Sequence, residues 1–360
     1  MNRIYNFSAG PGILPVSVLE EASQAVLEFQ GSGMSILELS HRGKWYDPVH
    51  AEAQELLLST LGLSASEYTV ALMGGGASTQ FALLPMNFLG DGETADYVDA
   101  GEWGAKAIAE ARRVGRVHIA GSSKATNYDR LPEIIPSGEA SYLHLTTNNT
   151  IEGTQVFTLP ETQGAPLFAD ASSDIFGVDR DYSQLDLIYA GAQKNAGPAG
   201  VTFVILRKSL LAVAQKNLPP MFSYQVQCDK QSLYNTPPVF PIYVLGLTLK
   251  WIAAEGGVKA VAARNQQKAA LIYDALDAAP SVFTPCVAVK EHRSWMNLTF
   301  KLATPELEKA FLTEAQALGM DGLPGHRNVG GLRASIYNAF PVEGCQALAA
   351  LIQDFAARKG

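Results

Sequence analysis

Apolar positions along this chain change their period several times, and each change marks an element. Over residues 15–29, Val18, Leu19, Ala22, Val26, Leu27 and Phe29 recur at helical spacing after a Pro-Val-Ser start. Asp47-Pro48 opens a second helix, which runs through Leu56, Leu57 and Leu61. The pattern then shortens. Residues 68–73 form a brief apolar run, followed by three glycines and a helical stretch to Leu89. Residues 94–98 predict a strand and 103–114 a helix. Runs at 117–120, 141–145, 167–169, 187–190 and 201–206 predict further strands. They are apolar on both faces, as parallel strands buried between two layers are. The alternation predicts an α/β domain over about 63–235, helix again over 241–279, and an α+β segment over 282–360.

Composition narrows the function classes. The 360 residues are 47% hydrophobic and 17% charged, which is globular. The formal charge of −8, with no run of either sign, argues against a polybasic nucleic-acid or lipid surface. No stretch approaches the roughly 18 apolar residues that span a bilayer. The opening MNRIYNFSAGPGILP lacks the pattern of a signal peptide. Cys228, Cys286 and Cys345 lie far apart with no CxxC pair, which suits a reducing compartment rather than disulfides or structural zinc. These features predict a cytoplasmic soluble enzyme or binding protein with no metal site. The P-loop, the dinucleotide fingerprint, the GxSxG elbow and HExxH are all missing, and the six histidines show no ligand spacing.

Four small motifs remain. Gly74-Gly75-Gly76-Ala77-Ser78-Thr79 sits between a strand and a helix, where free N–H groups and the hydroxyls of Ser78 and Thr79 can bind an anion. A turn with a helix cap explains it equally well. Asp170 ends an apolar strand, at the edge where open α/β sheets bind ligands; it can keep a pyridine nitrogen protonated, or simply cap a helix. Lys194 stands in Ala-Gly-Ala-Gln-Lys-Asn-Ala-Gly with no charged neighbour. Lysines usually sit on solvated faces. One in so apolar a run should hold its proton weakly and act as nucleophile and base. Trp103, after another strand, can stack on a planar ring or pack in the core. Together these supply what pyridoxal phosphate requires: a phosphate cradle, a ring stacker, an acidic partner for the ring nitrogen and an imine-forming lysine.

Two basic clusters add to this. Ser40-His41-Arg42-Gly43-Lys44 lies early, and Gly325-His326-Arg327 with Arg333 lies late. In an acidic chain they suggest a substrate with more than one negative group, since the arginine fork binds two oxygens at once. Incidental charge on exposed loops is the plainer alternative.

The segments FSAGPGILP, SHRGKWY, GGGASTQF, DYVDAGEWG, NNTIEGTQ, ADASSDI, YAGAQKNAGPAG, YNTPP and GHRNVGGLRASIYNAFP resemble the phosphoserine aminotransferases, of the class-V aminotransferase family, from Asn6 to Phe355. The resemblance implies the fold-type-I architecture: a large domain with a mostly parallel seven-stranded sheet flanked by helices, and a smaller α+β domain. The expected divisions are an arm at 1–14, the large domain at 15–260 and the small domain at 261–360.

It also implies roles. Lys194 would carry the imine, Asp170 would pair with the ring nitrogen and Trp103 would stack. Gly76, Ala77 and Ser78 would bind the cofactor phosphate. Thr150 and Gln193 would touch the cofactor, and Asn235 and Thr236 would reach the phosphate in the neighbouring subunit of a homodimer. Arg333 would grip the substrate α-carboxylate. His41, Arg42, His326 and Arg327 would receive the distal anion, some across the dimer interface. Some members carry an arginine near Ala77 or Ser78, which this chain lacks.

The implied reaction takes the amino group of L-glutamate and gives it to 3-phosphohydroxypyruvate by ping-pong kinetics, with a second activity in pyridoxine synthesis left open. Two alternatives stand beside it. One is another fold-type-I enzyme, such as a serine–glyoxylate aminotransferase, which leaves the paired His-Arg clusters unexplained. The other is a cofactor-binding protein without catalysis, which gains nothing from Arg42, Arg327 and Arg333.

Overall fold

The computed structural model describes residues 3–327 and 329–360. In chain order the strands are β1 (Tyr5–Asn6), β2 (Tyr68–Met73), β3 (Thr94–Asp99), β4 (Arg116–Ser122), β5 (Leu143–Thr146), β6 (Leu167–Asp170), β7 (Leu187–Gly191), β8 (Thr202–Arg207), β9 (Phe283–Pro285), β10 (Asn297–Leu302), β11 (Met320–Asp321) and β12 (Leu332–Ser335). The helices are α1 (Val16–Leu27), α2 (Asp47–Thr60), α3 (Gly76–Phe88), α4 (Glu102–Ala111), α5 (Lys208–Val213), α6 (Tyr224–Asp229), α7 (Val239–Ala254), α8 (Gly257–Asp277), α9 (Pro305–Ala317) and α10 (Val342–Lys359).

Seven strands form one sheet in the order β2-β8-β7-β6-β5-β3-β4. Both faces are buried, which is why its strands read as continuous apolar runs. Ile188, Ala190, Phe203 and Ile205 point into a core closed by α2 and α7. Leu187, Tyr189, Val204 and Leu206 point into another closed by α3 and α4. β8 departs from the expected parallel arrangement and runs antiparallel to both β2 and β7. The reason is the connection. Residues 192–201 return the chain without a crossover helix, and only antiparallel neighbours can be joined so directly.

The later segment builds an antiparallel sheet, β12-β10-β9, packed on α8 and α10 around Phe300, Ile272 and Ile352. The helical pattern over 241–279 is two helices, broken where Gly256 takes a φ of +94°. α7 is apolar all round because it lies between two cores. α8 puts Val261 into the first core and Ile272 into that of the later sheet, so the division expected at 260/261 falls inside this helix. Among the described residues no single helix is long and apolar enough to cross a membrane.

This topology has one consequence for chemistry. β2, β3, β5, β6 and β7 all end at the same sheet edge, so the loops after them meet there.

Candidate active site

A cavity of about 140 Å³ opens at that edge. Gly76, Ala77 and Ser78 line it from the start of α3, and Trp103 from the start of α4. Thr150 follows β5, Asp170 ends β6, and Gln193 and Lys194 follow β7. A larger hollow of about 760 Å³, around His50 and Tyr68, holds none of these groups. Size alone does not mark the chemistry.

The anion end is the first turn of α3. It has no side-chain cap and no acidic residue, so its free N–H groups are offered to the cavity. Gly75 takes a φ of +92°, and a Cβ there would lie 2.0 Å from Thr79 Oγ1. The turn therefore requires glycine. The Thr79 hydroxyl was expected to face the anion. It instead donates to the Gly75 carbonyl at 2.9 Å, because a threonine one turn into a helix can bond back to the carbonyl four residues earlier.

At the opposite end, Asp170 is buried. Its Oδ1 accepts from the Ser172 N–H at 3.0 Å and the Ser172 hydroxyl at 2.6 Å. Burial raises its pKa, opposed by those bonds and by nearby Lys194. The Trp103 ring lies with its centroid 5.9 Å from Lys194 Nζ, and its buried Nε1 has no hydrogen-bond partner among the described residues.

Lys194 Nζ donates to Thr150 Oγ1 at 2.7 Å. Burial pushes its pKa down to about 8; Asp170 pulls the other way and Arg333 adds to the fall. Near neutrality a sizeable share of such amines is unprotonated, as a nucleophile needs. The arm before α1 packs directly on this loop: the Gly12 N–H donates to the Gln193 carbonyl at 2.7 Å. A Cβ on Gly10 would meet Lys194 Cγ at 3.4 Å.

Arg333 on β12 donates from Nη1 to the Thr150 carbonyl at 3.2 Å, while its buried Nε has no partner among the described residues. Burial lowers its pKa, partly offset by Tyr337 and Glu152. His326 lies in the field of Arg333 and Arg327, which together with burial lowers its pKa. Arg327 is exposed beside it.

Arg333, His326 and Arg327 stand outside the lining of this cavity, and so do the remaining expected residues. Arg42 is exposed and donates to the Leu233 carbonyl at 3.3 Å. His41 keeps a buried Nε2 without a partner. Asn235 lines a separate hollow behind the glycine turn, and Thr236 is exposed beside it.

The motif search missed several groups. Thr146, Asn148, Ser172 and Ser173 also line the cavity. The run Thr146-Thr-Asn-Asn-Thr150 is almost wholly buried, and five polar residues following an apolar strand were the available signal. Glu152 was missed too. One of its oxygens accepts from the Glu102 N–H at 2.8 Å, fixing the start of the helix that carries Trp103. The other is buried without a partner, and burial raises the carboxyl to about 6.

An uncapped helix start, a buried carboxylate, a partnerless indole and a weakly basic lysine around one cavity fit a phosphorylated, ring-shaped aldehyde. The family model of the class-V aminotransferases matches residues 4–348, and the chain belongs to that family. It is 51% identical over 361 residues to the phosphoserine aminotransferase of Niallia circulans, covering 99% of each. That of Herpetosiphon aurantiacus is 50% identical over 360 residues, again covering 99% of each. The solved phosphoserine aminotransferase from Bacillus circulans subsp. alkalophilus superposes with a TM-score of 0.96 at 50% identity, over 99% of both chains. A PLP-bound phosphoserine aminotransferase from Trichomonas vaginalis gives 0.91 at 34% identity, over 98% of this chain and 100% of that one.

Proposed function

We propose that this protein is a pyridoxal-phosphate-dependent phosphoserine aminotransferase, moving the amino group of L-glutamate to 3-phosphohydroxypyruvate to give 2-oxoglutarate and O-phospho-L-serine. The carrying observation is Lys194: a lysine with lowered proton affinity, on the same cavity as Asp170, Trp103 and the bare start of α3. The names of relatives about half identical over the full length support the substrate pair.

Pyridoxal phosphate, when bound, supplies an aldehyde carbon that captures amines and a ring that takes up the electron pair left at Cα. The residues do the rest. The N–H groups of Gly76, Ala77 and Ser78 would hold the cofactor's phosphate, Trp103 would stack on its ring, and Thr150 and Gln193 would contact it. Asp170 keeps a proton on the ring nitrogen. Lys194 Nζ takes the Cα proton of L-glutamate in one half-reaction and returns a proton to Cα of the product in the other. Arg333 binds the α-carboxylate common to both substrates as a two-oxygen fork. His326 and Arg327 receive the distal carboxylate or phosphate.

His41, Arg42, Asn235 and Thr236 complete the site across a homodimer, from the partner's side. The support is that Arg42, Asn235 and Thr236 are exposed, and that Asn235 lines a separate hollow of its own chain. Three free thiols suit a cytoplasmic setting.

The test is a spectral titration of the yellow, cofactor-loaded protein. L-Glutamate should bleach the visible band and 3-phosphohydroxypyruvate should restore it, with parallel double-reciprocal lines in steady state. A band that L-glutamate leaves untouched would reject the reading.

A further inference from the structure

A second lysine, outside the cavity, is more deeply buried than Lys194. Lys268 on α8 is 0% exposed. Its Nζ donates to the carbonyls of Ile336 at 3.0 Å, Tyr337 at 2.8 Å and Phe340 at 3.2 Å. An ammonium has three N–H donors, and here each has an acceptor. Among the described residues no carboxylate lies within ion-pair distance of it. The ionisable groups that act on it are Arg264 on its own helix and Cys345 on α10. Burying a cation without a counter-ion is costly, and a leucine or methionine would fill this volume cheaply. The position therefore calls for a reason beyond packing.

The reason lies in what the three carbonyls belong to. They form one turn, residues 336–340, immediately after the strand that carries Arg333. The same turn reaches the loop of Lys194, since the Asn338 N–H donates to Asn195 Oδ1 at 3.0 Å. Tyr337 donates from its hydroxyl to the Ala9 carbonyl in the arm that packs on Lys194. Asn265, one turn before Lys268 on α8, donates to Asn338 Oδ1 at 2.8 Å and to the Gly177 carbonyl at 3.1 Å. A single face of α8 thus holds the segment that joins Arg333 to Lys194.

We propose that Lys268 is a positioning residue for the transamination: its three-point grip on the 336–340 turn sets the separation between the guanidinium of Arg333 and the amine of Lys194. It touches neither substrate nor cofactor. The inference rests on the roles given to Arg333 and Lys194 above. Removing the donors leaves three buried carbonyls that the turn must shift to satisfy. A shift of that kind moves Arg333, and its two-oxygen contact with a carboxylate, being made equally before and during reaction, is lost as binding. The α-carboxylate of both substrates is then met in the wrong place.

The experiment compares the cofactor-loaded wild type with Lys268→Met, which has no donor, and Lys268→Gln, which keeps two. KM and kcat are measured for L-glutamate and 3-phosphohydroxypyruvate, and hydrogen exchange is followed at the Asn338 amide. For Lys268→Met, KM for both substrates should rise about tenfold or more, with kcat within about threefold. The Asn338 amide should exchange at least about tenfold faster. Lys268→Gln should fall between. If Lys268→Met does not fold, Lys268→Gln is judged by the same criteria. Unchanged KM in the folded fraction, or unchanged exchange at Asn338, overturns the proposal and leaves Lys268 as packing. If the wild type does not transaminate at all, the functional reading fails separately, and the exchange comparison still decides whether Lys268 holds the turn.

Discussion

Two lysines of this protein are withdrawn from bulk water, and burial lowers the proton affinity of both. Their surroundings send them to opposite tasks. Lys194 has one side-chain partner, the Thr150 hydroxyl, and faces a cavity with a carboxylate in range. Its hydrogen-bonding capacity is left partly unspent, which is what a reactive amine needs. Lys268 bonds to three backbone carbonyls and lies outside that cavity. A nucleophile and an anchor can be the same residue type. The number of fixed acceptors around Nζ separates them.

The sharpest way to break this contrast is to remove each amine. Lys194→Ala should abolish the visible band of the loaded protein and cut turnover by at least ~10³-fold, read by absorbance and a coupled assay. Residual turnover near wild type would mean that another group does the chemistry. Next comes the anion that Lys194 has and Lys268 lacks. Asp170→Asn should retain the fold while lowering kcat by roughly 10²-fold, since one preorganised charge is lost.

Stability offers the cleanest comparison, because the same substitution should act with opposite signs. Burial holds Lys194 at about 8, below the ordinary lysine value of 10.5. A lysine whose folded pKa is depressed burdens the fold below that value, and the burden fades as pH rises toward 10.5. Lys194→Met in the cofactor-free protein should therefore raise stability at pH 7 by about 2–3 kcal/mol, a gain that shrinks in alkali. Burial pushes Lys268 further down, to about 7, so removing it relieves about 4 kcal/mol at pH 7. The three carbonyls left bare cost about 2 kcal/mol each, and Lys268→Met should lower stability by about 2 kcal/mol. Denaturant unfolding at pH 7 and pH 10 checks both; equal signs would dissolve the distinction.

The smallest effect concerns Glu152, a buried acid raised from 4.5 to about 6. Its ionised form costs stability above pH ~6, and the cost disappears on protonation below about 4.5. Glu152→Gln keeps the acceptor for the Glu102 N–H and should stabilise by about 1–2 kcal/mol at pH 8 but not at pH 4.5.

The lysine proposed to react stood out in the sequence, and the one proposed to anchor did not. Lys194 stood out because its neighbours along the chain are small and uncharged. Lys268 sits in Arg264-Asn-Gln-Gln-Lys268-Ala, which reads as an ordinary solvated helix face. Its partners lie some seventy positions away, at Ile336, Tyr337 and Phe340. The same logic covers the fold. Strand positions followed from apolar runs, but the reversed direction of β8 depends on what its connection does in space. The glycine turn stood out as a candidate phosphate cradle, while the Thr79 hydroxyl could serve either an anion or the carbonyl one turn back, and the fold gives it to the carbonyl. Glu152 looked like one more surface acid because nothing local hints that it is buried.

The reversal of β8 has a mechanical result. β7 and β8 pair residue for residue up to Gly191 and Thr202, so the stretch bearing the reactive amine is clamped at both feet by the middle of the sheet. Its reach above the sheet is set by its length. Inserting or deleting one residue between 192 and 201 would lift or drop Nζ without disturbing a single strand, leaving a protein that folds normally and holds its amine at the wrong height.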